Sequence, residues 1–191
     1  PLQAIQNALF LVRQEPALSA QAHDDLQVAF TEAERMADLI GRLRETYRPT
    51  INEEFRLESV NALIIEVQKL ISTHLRHNHI NFGFNPNPSL PFVPAVRDQL
   101  KQVILNLCLN AVEAMPDGGQ LTLSASHLRF ESKVLITITD TGIGIDPINK
   151  DNIFDPFFTT KQGGTGLGLA ITYDIVQRHS GRIDVNSQLG V

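Results

Sequence analysis

Apolar residues in the first fifty positions recur every three or four residues, at Leu2, Ile5, Ala8, Leu9 and Val12, then at Leu26, Phe30, Ala33, Met36, Ile40, Leu43 and Tyr47. That period marks two amphipathic helices, each with one apolar stripe. Between the stripes, Gln14-Glu15-Pro16-Ala17-Leu18-Ser19 has turn chemistry, and Ser19 or an adjacent polar residue can cap the second helix. The second stripe stops near Arg48-Pro49, because a residue before proline is driven out of helical geometry. Two helices this short have no core of their own. The pair is either a hairpin docked on the domain C-terminal to it or, the reading favoured here, half of a four-helix bundle completed by a second copy.

From Asn52 the pattern becomes mixed. Phe55-Arg56-Leu57 predicts a short strand, Val60 to Ser72 an amphipathic helix, and the alternation in Ile80-Asn81-Phe82-Gly83-Phe84 a strand. Asn85-Pro86-Asn87-Pro88 predicts a loop. Ala95 to Met115 predicts a long helix with Leu100, Val103, Ile104, Leu107 and Val112 inward, ended by Pro116-Asp117-Gly118-Gly119. Leu121 to Phe130 and Val134 to Asp140 predict paired strands, Leu167 to His179 a helix, and Gly181 to Val185 a last strand. The class is α+β: a helical hairpin followed by a two-layer α/β sandwich, strands on one side and helices on the other.

Composition narrows the function. A chain of 191 residues can hold one domain with a substantial core plus a smaller element. With 42% hydrophobic and 19% charged residues it is globular rather than disordered. No stretch approaches the roughly 20 apolar residues of a membrane span, and no secretory signal opens the chain. A cytoplasmic location is expected, with a parent protein free to be membrane-associated. The lone Cys108 excludes an internal disulfide and fits a reducing compartment. A net charge of -5 argues against a broad nucleic-acid surface but not against a local nucleotide site.

Three segments carry candidate chemistry. Asn106 and Asn110 stand four apart on a predicted helix, so their amides share one face about 6 Å apart. An amide oxygen can complete an octahedral Mg²⁺ shell that keeps waters and takes phosphate oxygens. An isolated Asn pair more often meets solvent or caps a loop; set among Leu105, Leu107, Leu109 and Ala111, an unpaired buried amide would be costly, which favours ligation. Glu113, one turn on, reads equally well as a further polar contact or an exposed residue. Asp140 ends a strand directly before Thr141-Gly142-Ile143-Gly144, a simple turn or a carboxylate placed to accept from the exocyclic amine of adenine, where guanine would offer a carbonyl. Gly164-Thr165-Gly166-Leu167-Gly168 opens a helix whose N-terminus favours anions, and Lys161 precedes it as a point charge for phosphate. A Walker-type phosphate loop is absent, Ile171 breaks a dinucleotide-binding fingerprint, and Pro147 breaks a protein-kinase glycine loop.

Together and in this order, Asn106 to Ala111, Asp140 to Gly144 and Gly164 to Leu169 resemble the N box and the two glycine boxes of the ATP-binding domain shared by sensor histidine kinases, gyrase, Hsp90 and MutL. Phe154-Asp155-Pro156-Phe157-Phe158-Thr159-Thr160-Lys161 resembles the phenylalanine box of the histidine kinases, within a short ATP lid whose aromatics are expected to be anchors. The resemblance, to kinases of the nitrogen-regulation type, covers nearly the whole chain. It implies a dimerisation and phosphotransfer hairpin at 1–50, dimeric through residues 1–48, and a catalytic ATP-binding domain of GHKL type at 51–191. It implies ATP and Mg as cofactors and a response-regulator receiver domain as partner. By residue, it implies Asn106 and Asn110 as Mg-phosphate contacts, with Asn110 the metal ligand, and Asp140 as the adenine acceptor. Gly142 and Gly144 become its turn, and Lys161 a phosphate contact that joins Asn106 as a catalytic group. Gly164, Thr165, Gly166, Leu167 and Gly168 become the lid hinge and phosphate loop. Both ends are expected to be cut, with the phosphoacceptor histidine upstream of Pro1 and the last strand incomplete.

The histidines present do not replace that acceptor. His23 sits near a helix start, where an exposed histidine is the commoner case; His74, His77 and His79 lack a fourth ligand and suit a helix C-terminus; His127 and His179 have no partner motif. Two other classes stay open: an ATPase of the gyrase, Hsp90 or MutL kind, which needs an acidic base where Asn106 stands, and a non-catalytic dimeric ATP-binding regulator.

Overall fold

A computed structural model describes residues 54–161 and 164–190, together with Val12, Ser19, Gln21, Ala22, 26–29 and Thr31. By its internal contacts the chain divides into two compact units, Pro1–Ile51 and Asn52–Val191. In the first, the described positions other than Ser19 are helical, and Ala22 donates its backbone N–H to Ser19 Oγ at 3.2 Å, the cap expected there. The rest of the hairpin, including the bundle stripe at Phe30, Met36, Ile40, Leu43 and Tyr47, lies outside the described residues.

The second unit opens with β1 (Arg56–Glu58), after which Ser59 caps α1 (Val60–His77) by accepting from Ala62 N. Helix α1 buries Val60, Leu63, Ile64, Val67, Ile71 and Leu75, one stripe at steps of three and four. It runs past the expected end at Ser72 because Leu75 adds one more buried turn. His74, Arg76 and His77 occupy its last turn, where the Arg76 guanidinium complements the helix C-terminus.

Strand β2 (Ile80–Phe84) follows, then β3 (Val93–Ala95), which pairs antiparallel with β1 in the register Leu57↔Pro94. The helix expected from Ala95 therefore starts two residues later, as α2 (Arg97–Glu113). Strands β4 (Gly119–Leu128) and β5 (Lys133–Asp140) form the expected hairpin, and β2 joins β4 in parallel, giving the order β2-β4-β5. Phe130 falls in the turn between β4 and β5 rather than in a strand, and is fully exposed.

One face of β4 carries Leu121, Leu123 and Ala125 into a core shared with Leu63, Ile64, Ile71, Ile104, Cys108 and Met115, while the alternate Gln120, Ser124 and Ser126 stay exposed. This is the two-layer α+β arrangement expected. The third helix, α3 (Gly168–Arg178), packs on α2. Beyond it, residues 181–188 show alternating burial, but they form no ladder with any described strand, so the strand expected at Gly181 to Val185 is not assigned.

Candidate functional site

Helix α2 is where the chemistry-bearing segments meet. Asn106 Nδ2 donates to the carbonyl of Gly168, the first residue of α3, at 3.3 Å. One turn later, Asn110 Oδ1 accepts from Lys161 Nζ at 3.2 Å. One turn beyond that, the carbonyl of Ala114 accepts from Ile143 N at 3.0 Å. Positions 106, 110 and 114 recur at the helical spacing of four, so each attachment lies about 6 Å from the next along one face. Both asparagines are half-buried. The glycine segments, far apart in sequence, are therefore joined to the asparagine helix.

Asp140 ends β5 opposite Leu121 and is exposed; its Oδ1 accepts from Gly142 N at 2.9 Å, which closes the turn. Gly142 lies so close to the end of α2 that a Cβ there would fall 2.6 Å from Ala114 O. Only glycine fits that approach. Gly144 lies against the backbone of Gln188, and Ile145 N donates to Ser187 Oγ, so residues 187–190 back the turn. Thr141 Oγ1 accepts from Gln120 N at 3.0 Å and fixes the same turn to β4, a contact for which the sequence gives no signal.

The segment between the glycine turns is held at chosen points. Asp146 Oδ1 caps a short 3₁₀ turn, Pro147–Asn149, Ile153 is buried, and Phe154 packs on Tyr173 of α3 with ring centroids 5.5 Å apart. Phe158 is half-buried. Phe157 is not the anchor expected of it: it is 68% exposed and adopts φ +68°. Its N–H donates to Gly166 O at 3.0 Å, while Gly166 has φ +65° and a Cβ position only 2.3 Å from Phe157 C. Any larger residue at 166 would collide with backbone. Gly164 lies against the Thr159 hydroxyl, Thr165 Oγ1 accepts from Leu167 N, and Leu167 is buried. Helix α3 starts at Gly168 without a side-chain cap, so its first-turn amides have no side-chain acceptor at the cap position.

Charge concentrates at Lys161. Its ammonium bonds Asn110 Oδ1 and also pairs with the Glu113 carboxylate. Glu113 meets both readings open for it: it is exposed, and it makes a polar contact with Lys161. His179 likewise acquires partners: Nε2 accepts from Val96 N at 3.0 Å, Nδ1 faces Ile175 O at 2.8 Å, and the ring lies 4.9 Å from that of Phe55. An acceptor Nε2 leaves the proton on Nδ1, where it can be donated to Ile175. Helix α2, which lacks a side-chain cap at Val96, thus begins on a histidine 83 residues away. Arg97 fixes the same end by pairing with Glu58 and Glu66. Those carboxylates raise the guanidinium pKa, Glu58 most strongly.

Sensor histidine kinase ZraS of Escherichia coli (strain K12) is 38% identical over the whole chain, which spans 40% of ZraS. The crystal structure of full-length ShkA in complex with AMPPNP superposes with a TM-score of 0.71 at 25% identity, covering all of this chain and 41% of ShkA. That of histidine kinase ThkA in complex with response regulator protein TrrA gives 0.62 at 26% identity, over 94% of this chain and 52% of ThkA. The chain thus spans about two fifths of the length of the curated relatives it matches. Residues 95–191, which contain α2 and both glycine turns, match the model for histidine kinase-, DNA gyrase B-, and HSP90-like ATPases, and the chain belongs to that family.

Proposed function

We propose that residues 52–191 bind ATP with Mg²⁺ on the 106–110–114 face of α2, as the catalytic unit of an ATP-dependent protein-histidine kinase. The carrying observation is that one helix face receives the start of α3, Lys161 and the glycine turn after Asp140. ShkA was solved with AMPPNP and ThkA with a response regulator, which supports a nucleotide here and a receiver domain as partner. In this reading the γ-phosphoryl group passes from ATP to a histidine imidazole, ADP leaves, and the phosphoryl group passes on to a receiver-domain aspartate. Residues 1–48 form the homodimer, and sedimentation showing a monomer at tens of micromolar, an order-of-magnitude concentration for a real interface, would remove that part.

Asp140 accepts from adenine with the carboxylate oxygen not used by Gly142, and the turn of Gly142 and Gly144 lets the base approach the backbone. Lys161 and the amides leading from Gly164 through Thr165, Gly166 and Leu167 to Gly168 meet phosphate. Asn106 positions the start of α3 beside the phosphates. Asn110 fits the metal, because its Oδ1 already accepts from a cation. Bound there, Mg²⁺ would neutralise phosphate charge. A water-activating ATPase needs a base at 106, whereas the Asn106 amide donates to Gly168 O; that contact favours the kinase.

Calorimetry tests the nucleotide assignment. The chain should prefer ATP to GTP, and Asp140→Asn should weaken ATP about tenfold or more, the loss of a charged hydrogen bond of about 1.5–3 kcal/mol. Equal ATP and GTP affinity would overturn it. Full-length protein incubated with γ-labelled ATP should carry acid-labile, base-stable label; its absence would overturn the kinase.

A further inference from the structure

We propose that Glu113 is an anionic partner of the divalent cation that enters with the nucleotide, and that it makes the site select metal-complexed nucleotide over free nucleotide. This rests on the nucleotide reading above and adds to it a residue on the turn of α2 after Asn110. Asn110 Oδ1 and the Glu113 carboxylate, three residues apart on α2, both bond the single ammonium of Lys161. One neutral and one anionic oxygen ligand already converge on a positive charge.

An ammonium is a weak tenant of such a pair. Lys161 and Glu113 are 44% and 58% exposed, so solvent screens their attraction and the pair by itself contributes little. Magnesium carries twice the charge, takes oxygen ligands only and binds carboxylate readily, keeping several waters through which a nearby carboxylate can reach it. The polyphosphate that arrives with it offers Lys161 new anionic partners. With the metal complex present, Lys161 would turn from Glu113 to phosphate, and Glu113 would offer the cation an anionic oxygen beside Asn110. Free ATP lacks the compensating cation, and its phosphates would face the Glu113 carboxylate directly. Glu113 thus attracts the metal complex and repels the bare anion.

The test is calorimetry of ATP binding with excess Mg²⁺ and with EDTA, on the parent chain, Glu113→Gln and Glu113→Asp. Glu113→Gln should move the two affinities in opposite directions, Mg·ATP weaker and free ATP tighter by roughly fivefold each, the size of one screened charge interaction. Glu113→Asp should restore part of the difference. A perturbation of the fold would lower both affinities together and would overturn the assignment, as would an unchanged ratio in a chain that binds. A parent chain that binds nucleotide under neither condition would overturn the nucleotide reading itself.

Discussion

Thr172 sits on α3 at 0% exposure, and its Oγ1 has no hydrogen-bond partner among the described residues. Replacing it with valine exchanges the hydroxyl for a methyl while keeping the β-branch, so helix propensity and rotamer freedom change little. A buried hydroxyl without a partner costs about 1–3 kcal/mol, and a buried methyl contributes about 0.8 kcal/mol of transfer. The opposing effect would be loss of a bond to the carbonyl four residues back, about 0.5–1.5 kcal/mol. That carbonyl belongs to Gly168, and it already accepts from Asn106 at 3.3 Å. Thr172→Val should therefore stabilise the unit by about 2 kcal/mol, the low end of those figures combined, or roughly 4–8 °C in Tm for a domain of this size. Urea unfolding followed by far-ultraviolet circular dichroism should show a higher midpoint at unchanged slope. A variant less stable than the parent would refute the reasoning. It would mean that the hydroxyl shares the Gly168 carbonyl with Asn106.

Burial pushes the Cys108 thiol from 9.0 to about 12, so the folded unit holds a proton that the unfolded chain has released above pH 9. Stability is full below that pH and declines as pH rises toward 12, at up to about 1.4 kcal/mol per pH unit; Cys108→Ala should flatten the decline seen in urea melts, and an unchanged slope would count against it. In the folded unit the thiol should resist iodoacetamide and react only after unfolding. His179→Phe should cost about 1–3 kcal/mol by leaving the Val96 N–H without its acceptor, and a loss below about 0.5 kcal/mol in urea unfolding would show that the bond contributes nothing.

The range of each interaction decides how far it was legible in the sequence. The stripe of α1 and the alternation of β4 are local periodicities, and both appear where the spacing puts them. Val93–Ala95 has too few residues for a period and includes Pro94; only its pairing with distant Arg56–Glu58 makes it a strand. Gly142 and Gly166 could be singled out because a missing side chain signals a close approach even before the neighbour is known. The neighbours themselves were hidden. Lys161 reaches Glu113 across 48 residues and His179 reaches Val96 across 83, and no local rule selects those partners. Phe157 misled because an aromatic is ordinarily an anchor, whereas here a backbone pairing with Gly166 turns it outward.

The three attachments along α2 divide the chain by its tolerance of changes in length. One residue inserted between Asn106 and Ala114 would rotate everything after it by about 100° about the helix axis and carry at least one attachment to the wrong face. No neighbouring segment could follow, because each is joined to the same nine-residue span. The stretch between Ile145 and Ile153 is fastened mainly at its ends, and doubling such a loop costs only about 0.6 kcal/mol in closure entropy. Deep insertional scanning would sort the two regions at once: the helix accepts substitution but not length, and the loop accepts length. Descendants of this sequence can diversify by growing the loop while the helix keeps its count.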